Sequence, residues 1–177
     1  SRVQALQRSV DGWLTGRRAV IASIATFSAV ALVAATPRSP YHPVLPETQG
    51  NGPIGFLSNL LFLDELPHGI VIVIGFVAMI AAGVAFLLVL WAAERGQVST
   101  RTVVTLALVY HAVVLLLPLL LSRDVFSYAF YGRILSRYGH NPYVSTPADF
   151  PANDLSRFVW PGWRDTPSVY GPVFVWL

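Results

Sequence analysis

The sequence predicts an all-α polytopic membrane protein with three full transmembrane helices and the start of a fourth. Three observations carry that prediction. Hydrophobic residues make up 54% of the 177-residue chain and charged ones only 12%, whereas a soluble domain carries about a quarter charged residues. Three uncharged apolar runs each approach the roughly 20 residues a helix needs to cross about 30 Å of hydrocarbon. Arginines also gather in the segments that bracket those runs on one side.

The first run, residues 19–36, lies between Arg17–Arg18 and Pro37. A cleaved leader is the poorer reading, because two further runs follow and no small-residue cleavage site is evident. Residues 69–93 form the second run and 102–121 the third, with Pro118 kinking that helix or easing it out of the membrane. His111, in the middle of the third run, is either a functional intramembrane group or a neutral ring bonded to a neighbouring helix, and the second reading is preferred. A fourth run begins near residue 168, in "SVYGPVFVWL". Because that run is only starting and the chain opens without Met, a piece of a larger polytopic protein is expected.

Orientation follows from basic residues in the short connections. Arg2, Arg8, Arg17 and Arg18 precede the first run, and Arg95 and Arg101 sit in the loop 94–101. The connection 37–68 holds Arg38 alone against Glu47, Asp64 and Glu65. A plasma-membrane protein with a cytoplasmic N-terminus is therefore expected, with loops 37–68 and 122–167 outside. Prolines at 37, 40, 43 and 46 suit a polyproline II strut, and 54–66 suits a helix lying in the membrane interface. Asp64 and Glu65 are either acids of a site or solvated helix-end charges, the second being preferred.

Several function classes fall away. With no cysteine there is no disulfide, zinc-thiolate or thiol chemistry. A formal charge of +3, scattered over the chain, does not suggest a nucleic-acid partner. Phosphate-binding and dinucleotide glycine loops, His-Glu-x-x-His and Gly-x-Ser-x-Gly are missing from the sequence, and no metal cluster is evident.

The second outer loop should carry the chemistry. It opens "SRDVFSYAFYGRILSRYGHNPY" at residue 122. Over 124–138, helical spacing puts Asp124, Tyr128, Tyr131, Leu135 and Tyr138 on one face. Phe126, Phe130, Arg133 and Arg137 fall opposite, joined by Arg123. The first set suits a pocket for hydroxylated ligands beside a base; the second suits rings in the acyl layer with guanidiniums at phosphates. Gly139 should end the helix and Asn141-Pro142 should turn the chain. Further on, Trp160 and Trp163 fit either sugar stacking or interface anchoring. For Asp124 itself two readings stay open: a base, or an acid favoured by the helix dipole, with Ser122 or Asp124 as the N-cap.

These blocks, followed by "WRDTPSVYGPVFVWL", resemble the polyprenyl-phosphate-sugar-dependent glycosyltransferases of the GT-C superfold, and most closely the bacterial α-1,6-mannosyltransferases of lipomannan and mannan core synthesis. The likeness is strong over the last third of the chain and rests on hydropathy and topology before it. It implies the N-terminal part of a GT-C fold, with Asp124 as catalytic base. Tyr128, Asn141, Pro142, Tyr143, Trp163, Arg164, Tyr170 and Gly171 occupy the other matching motif positions. Gly132-Arg133 departs from relatives that carry an acid near that place, which leaves the sugar and acceptor open.

The resemblance implies inverting transfer of a sugar, mannose in the nearest group, from a polyprenyl-phosphate donor to a glycan or glycolipid acceptor. Asp124 would take the acceptor proton. The leaving phosphate is already a stable anion, so cations suffice to hold it: Arg123, Arg133, His140 and Arg164 are the candidates. That scheme demands no metal or other cofactor. Tyr131 joins the substrate-binding set through its position on the Asp124 face. The competing readings are a transporter or flippase of lipid-linked sugars and a non-catalytic membrane subunit.

Overall fold

The computed structural model describes residues 2–46 and 52–171, with residues 2–14 described by their backbone alone. Its regular elements are all helical, with no strand among the described residues. They are α1 (Arg2–Ala34), α2 (Phe56–Leu60), α3 (His68–Glu94), α4 (Thr100–Val114) and α5 (Asp124–Ser136), with single 3₁₀ turns at Leu63–Glu65, Pro147–Asp149 and Pro161–Trp163. They divide into two units: Ser1–His42 with Gly50–Pro118, and Pro43–Gln49 with Leu119–Leu177.

In the first unit, Thr15–Ala34 of α1 and all 27 residues of α3 are long and apolar enough to cross a membrane. α3 buries a narrow stripe of Val71, Gly75, Ala78, Ala85, Val89 and Ala92. The steps of three, four and seven keep those residues on one side of the helix. Most are small, which lets another helix approach closely where lipid supplies no hydrophobic drive. Ala19 of α1 packs there against Val89, Ala92 and Val98. The remaining faces of α3 expose Phe76, Val77, Ile80, Phe86 and Leu87, the surface expected of a helix that meets acyl chains.

The turn from α3 to α4 follows from local chemistry. Gly96 takes φ 69°. Its N–H donates to the Ala93 carbonyl while Gln97 N–H reaches back to Ala92 at 2.9 Å. Glycine adopts that left-handed conformation without penalty, and the paired bonds satisfy the carbonyls that α3 leaves open. Ser99 then caps α4 by accepting from Thr102 N–H at 3.1 Å.

The expected third span is shorter than the apolar run. α4 stops at Val114 after 15 residues, about 22 Å at 1.5 Å per residue and short of the roughly 30 Å hydrocarbon layer. Pro118 explains the stop: it has no N–H to donate, and its ring pushes Leu117 out of the helical region. Leu116 and Leu117 close tight turns onto Val113 and Val114 instead. His111 bonds through Nδ1 to the Ala107 carbonyl of its own helix at 2.7 Å, not to a neighbouring helix. The expected fourth span starts no helix by Gly171, and its remainder lies outside the described residues.

The proline-rich connection is not a polyproline strut over 36–42. Ser39 N–H bonds to Thr36 O and His42 N–H to Ser39 O, forming successive turns. Pro37 and Pro40 each occupy the second position of such a turn, where a fixed φ near −65° is already suited. The turns deliver Tyr41 Oη to the Gly75 carbonyl at 2.6 Å and His42 Nε2 to the Ala34 carbonyl at 2.7 Å. The second bond satisfies an orphan acceptor at the end of α1. The interfacial helix expected over 54–66 is broken in two by Phe62, which lies at φ 56°. Phe56, Leu60, Leu61 and Phe62 are all exposed around that break.

Candidate active site

In the second unit, the approach to α5 is a tight bend. Leu121 sits at φ 65°, and Ser122 N–H donates back to the Leu120 carbonyl at 2.7 Å. A branched side chain rarely adopts that backbone region, and strain of this kind concentrates at functional sites. Ser122 Oγ then accepts from Asp124 N–H at 3.1 Å, one of the donors a helix N-terminus leaves unpaired. Asp124 is therefore the first residue of α5, with Arg123 at the cap position. Its partly exposed carboxylate accepts no hydrogen bond and pairs with no cation among the described residues.

That carboxylate opens onto a cleft of about 370 Å³ lined also by Ser122, Arg123, Trp160, Pro43 and Val44. The arrangement combines an acid able to accept a proton, a guanidinium able to hold an anion, and an indole able to stack on a ring. One turn further along α5, Tyr128 meets Tyr170: the Tyr170 hydroxyl donates to Tyr128 Oη at 3.3 Å, and the rings stand edge to face at 4.8 Å. The Tyr170 phenol is pushed up to about 12, first by this hydrogen bond, then by partial burial and by negative charge including that of Asp124. Asp124, Tyr128 and Tyr170 thus share one electrostatic neighbourhood.

The other expected site residues are placed differently. Tyr131 is 2% exposed and donates from its hydroxyl to the Thr166 carbonyl at 2.9 Å; burial raises its pKa. It belongs to the packed centre of this unit with Phe130, Ile134 and Val159, against which Trp163 also rests. The expected division of α5 into a sugar face and a lipid face is overturned there. Phe130 is completely buried, Phe126 stacks on Phe158 at 5.0 Å, and Arg133 Nη1 reaches Asn153 Oδ1 at 3.2 Å. On the opposite face Tyr138 stacks on Phe150 at 4.3 Å and accepts from Asn153 Nδ2 at 2.9 Å. Residues 150–166 therefore cover both faces, and their rings supply the apolar surroundings that periodicity assigned to lipid.

Gly139 ends the helix at φ 66° as expected. Beyond it, His140 lies edge-on to Phe150, and Asn141 Oδ1 accepts from Tyr143 N–H at 2.9 Å. These three residues follow the far end of the 13-residue α5, about 20 Å of helix from Asp124. Arg164 donates through Nη2 to the Arg157 carbonyl at 3.4 Å and lines a separate cleft. The sequence list thus resolves into Asp124 and Arg123 at one cleft, Tyr128 and Tyr170 beside them, and the rest elsewhere.

The sequence marks Trp160 as a ring for sugar stacking or interface anchoring, but nothing in the pattern joins it to Asp124. Pro43, some eighty positions upstream, carries no signal for this site. No three His, Cys, Asp or Glu side chains gather to hold a metal ion among the described residues.

No curated protein and no solved structure matches the chain. A family model described as alpha-(1->6)-mannopyranosyltransferase, N-terminal domain, matches residues 21–177. The match spans most of the chain, including residues 21–34 of the first membrane-length helix, all of α3 and the whole of α5. With an acid-bearing cleft and membrane-length helices on one chain, the protein belongs to this membrane-associated, mannosyltransferase-type glycosyltransferase family.

Proposed function

We propose that the protein transfers mannose, with inversion, from a polyprenyl-phosphate donor to a hydroxyl of a glycan or glycolipid acceptor, with Asp124 as general base. The observation that carries this reading is the Asp124 carboxylate, without an ion-pair partner among the described residues, opening beside Arg123 and Trp160 onto one cleft. Asp124 takes the proton of the acceptor hydroxyl as its oxygen forms a bond to the anomeric carbon. The bond from that carbon to the phosphate oxygen breaks on the opposite side, and the phosphate departs as an anion beside the Arg123 guanidinium. Trp160 offers a stacking surface for the sugar, and the Tyr128 and Tyr170 hydroxyls are its hydrogen-bonding partners.

A cytoplasmic N-terminus is supported by charge at one end of the first unit. Ala19 packs on Val89, Ala92 and Val98, so Arg17 and Arg18 lie near the α3–α4 turn, which Arg95 opens and which leads into Arg101 in the first turn of α4. The Arg95 guanidinium covers the Trp91 ring at 3.9 Å, a pairing suited to the headgroup level. A basic end of this kind marks the cytoplasmic side.

The test is turnover in proteoliposomes supplied with polyprenyl-phosphate mannose and a mannoside acceptor. Mannosylated acceptor and free polyprenyl phosphate should form in equal amounts. Movement of intact donor without its cleavage would overturn the transferase reading in favour of a flippase.

A further inference from the structure

The second unit holds another polar cleft that the reaction above does not use. It measures about 460 Å³ and is lined by Asn153, Asp154, Ser156, Arg157 and Arg164. Its floor is built from bonded groups. Asn153 is 7% exposed, and its side chain accepts from Arg133 Nη1 and Leu155 N–H while donating to Tyr138 Oη. Those bonds fix the loop 153–157 to α5. Arg157 lies with its guanidinium 4.9 Å from the Phe158 ring, and its carbonyl accepts from Arg164 Nη2.

Arg164 is the telling residue. Its Nε–H is buried and meets no acceptor, although a guanidinium N–H removed from water without a partner costs about as much as a lost charge-assisted hydrogen bond. Two guanidiniums face this cleft against one carboxylate, Asp154. An anionic oxygen entering it would offset the excess of two guanidiniums over one carboxylate. The fork geometry of Arg matches a phosphate oxygen pair in particular.

We propose that this cleft is a second anion-binding site, taking the phosphate ester of a membrane-lipid headgroup or of a soluble phosphorylated ligand. It is separate from the place where a leaving phosphate would sit. Arg133, anchored at its floor, follows Asp124 by nine residues, about 13 Å along α5. The leaving phosphate is placed beside Arg123 in the other cleft, and the two clefts share no lining residue. The inference therefore stands on Arg164 and its surroundings and does not depend on Asp124 acting as a base.

The experiment uses the protein in phosphatidylcholine nanodiscs, titrated calorimetrically with glycerol phosphate and with inorganic phosphate. In parallel, nanodiscs containing phosphatidylglycerol test retention of that lipid over phosphatidylcholine by native mass spectrometry. Saturable binding of glycerol phosphate assigns a soluble ester; selective retention of phosphatidylglycerol alone assigns a lipid headgroup; both support the site. The double variant Arg157→Gln/Arg164→Gln should weaken binding about tenfold or more, the loss of one charge-assisted hydrogen bond. Ser156→Asp, which keeps both arginines and adds a like charge to the ligand, should weaken it comparably while leaving the circular dichroism spectrum intact. Arg137→Gln, an exposed arginine just past the end of α5 and outside the cleft, should leave binding unchanged. Absence of saturable binding in both arms, wild-type affinity in Ser156→Asp, or an equal loss in Arg137→Gln would each overturn the proposal.

Discussion

Replacing Asp124 with Asn separates a catalytic carboxylate from a capping one, because the two roles predict losses of very different size. The amide is nearly isosteric, and the bond from the residue 124 N–H to Ser122 Oγ is a backbone donation that survives the change. What the fold loses is a negative charge in the first turn of α5, worth about 0.3–1 kcal/mol at a partly exposed position. What the reaction loses is its proton acceptor, a fall of about 10²–10⁴ in rate. A third readout comes from Tyr170: removing the Asp124 charge should bring that phenol down from about 12, though only in part, since the Tyr128 hydrogen bond remains. The assay pairs mannose transfer in proteoliposomes with thermal unfolding of the same preparation. Transfer within about tenfold of wild type would refute the base assignment, since even modest general-base catalysis exceeds that. Destabilisation by more than about 3 kcal/mol would instead make Asp124 a structural residue, because the helix-dipole contribution is far smaller.

Other expected outcomes follow from the packing. Phe130→Ala empties the centre shared by Tyr131, Ile134 and Val159 and should cost about 3–5 kcal/mol in unfolding free energy, as for other buried aromatics. Gly75→Ala would bring a Cβ to 2.7 Å from Pro40 Cγ. The proline ring is rigid, so a loss of about 1–3 kcal/mol in a denaturation series is expected, with the Tyr41–Gly75 bond the first to lengthen. Tyr170 favours its neutral form: its stabilising contribution is whole below about 10 and disappears as pH rises towards about 12. Tyr170→Phe should therefore flatten the alkaline loss of stability over that window, measured by unfolding at fixed pH, and remove one late-ionising phenol from the absorbance titration.

Much of the helical plan was legible in the residues. An apolar run flanked by arginines needs no tertiary context to become a helix in lipid, because the backbone has no other partner there. Gly96 and Ser99 mark the α3–α4 turn through chemistry confined to a few neighbours, and Gly139 ends α5 in the same way. The reading failed where a local rule met a competing one. Pro118 ended α4 inside an apolar run that hydropathy carried to residue 121. Prolines spaced by three suggested a strut, yet each was as well suited to a turn, and the bonds from Tyr41 and His42 to α3 and α1 favour the turns.

The candidate site divides along the same line. Asp124 was visible because a carboxylate interrupts an apolar run at a helix start, and the order of the surrounding blocks resembled a family of transferases. Periodicity could say which side chains share a face of α5, but not what covers that face. Phe130 and Tyr131 are buried because residues 150–166 fold back over the helix, and that return depends on Asn153 and Tyr131 making bonds across 15 to 35 positions. By itself the sequence determined the membrane-length helices, their turns and the acid at the head of α5, since those rest on hydropathy and bonds between near neighbours. Only the tertiary structure decided that Trp160 and Pro43 complete the Asp124 cleft while Arg164 lines another, because residues so far apart in the chain meet only once it has packed.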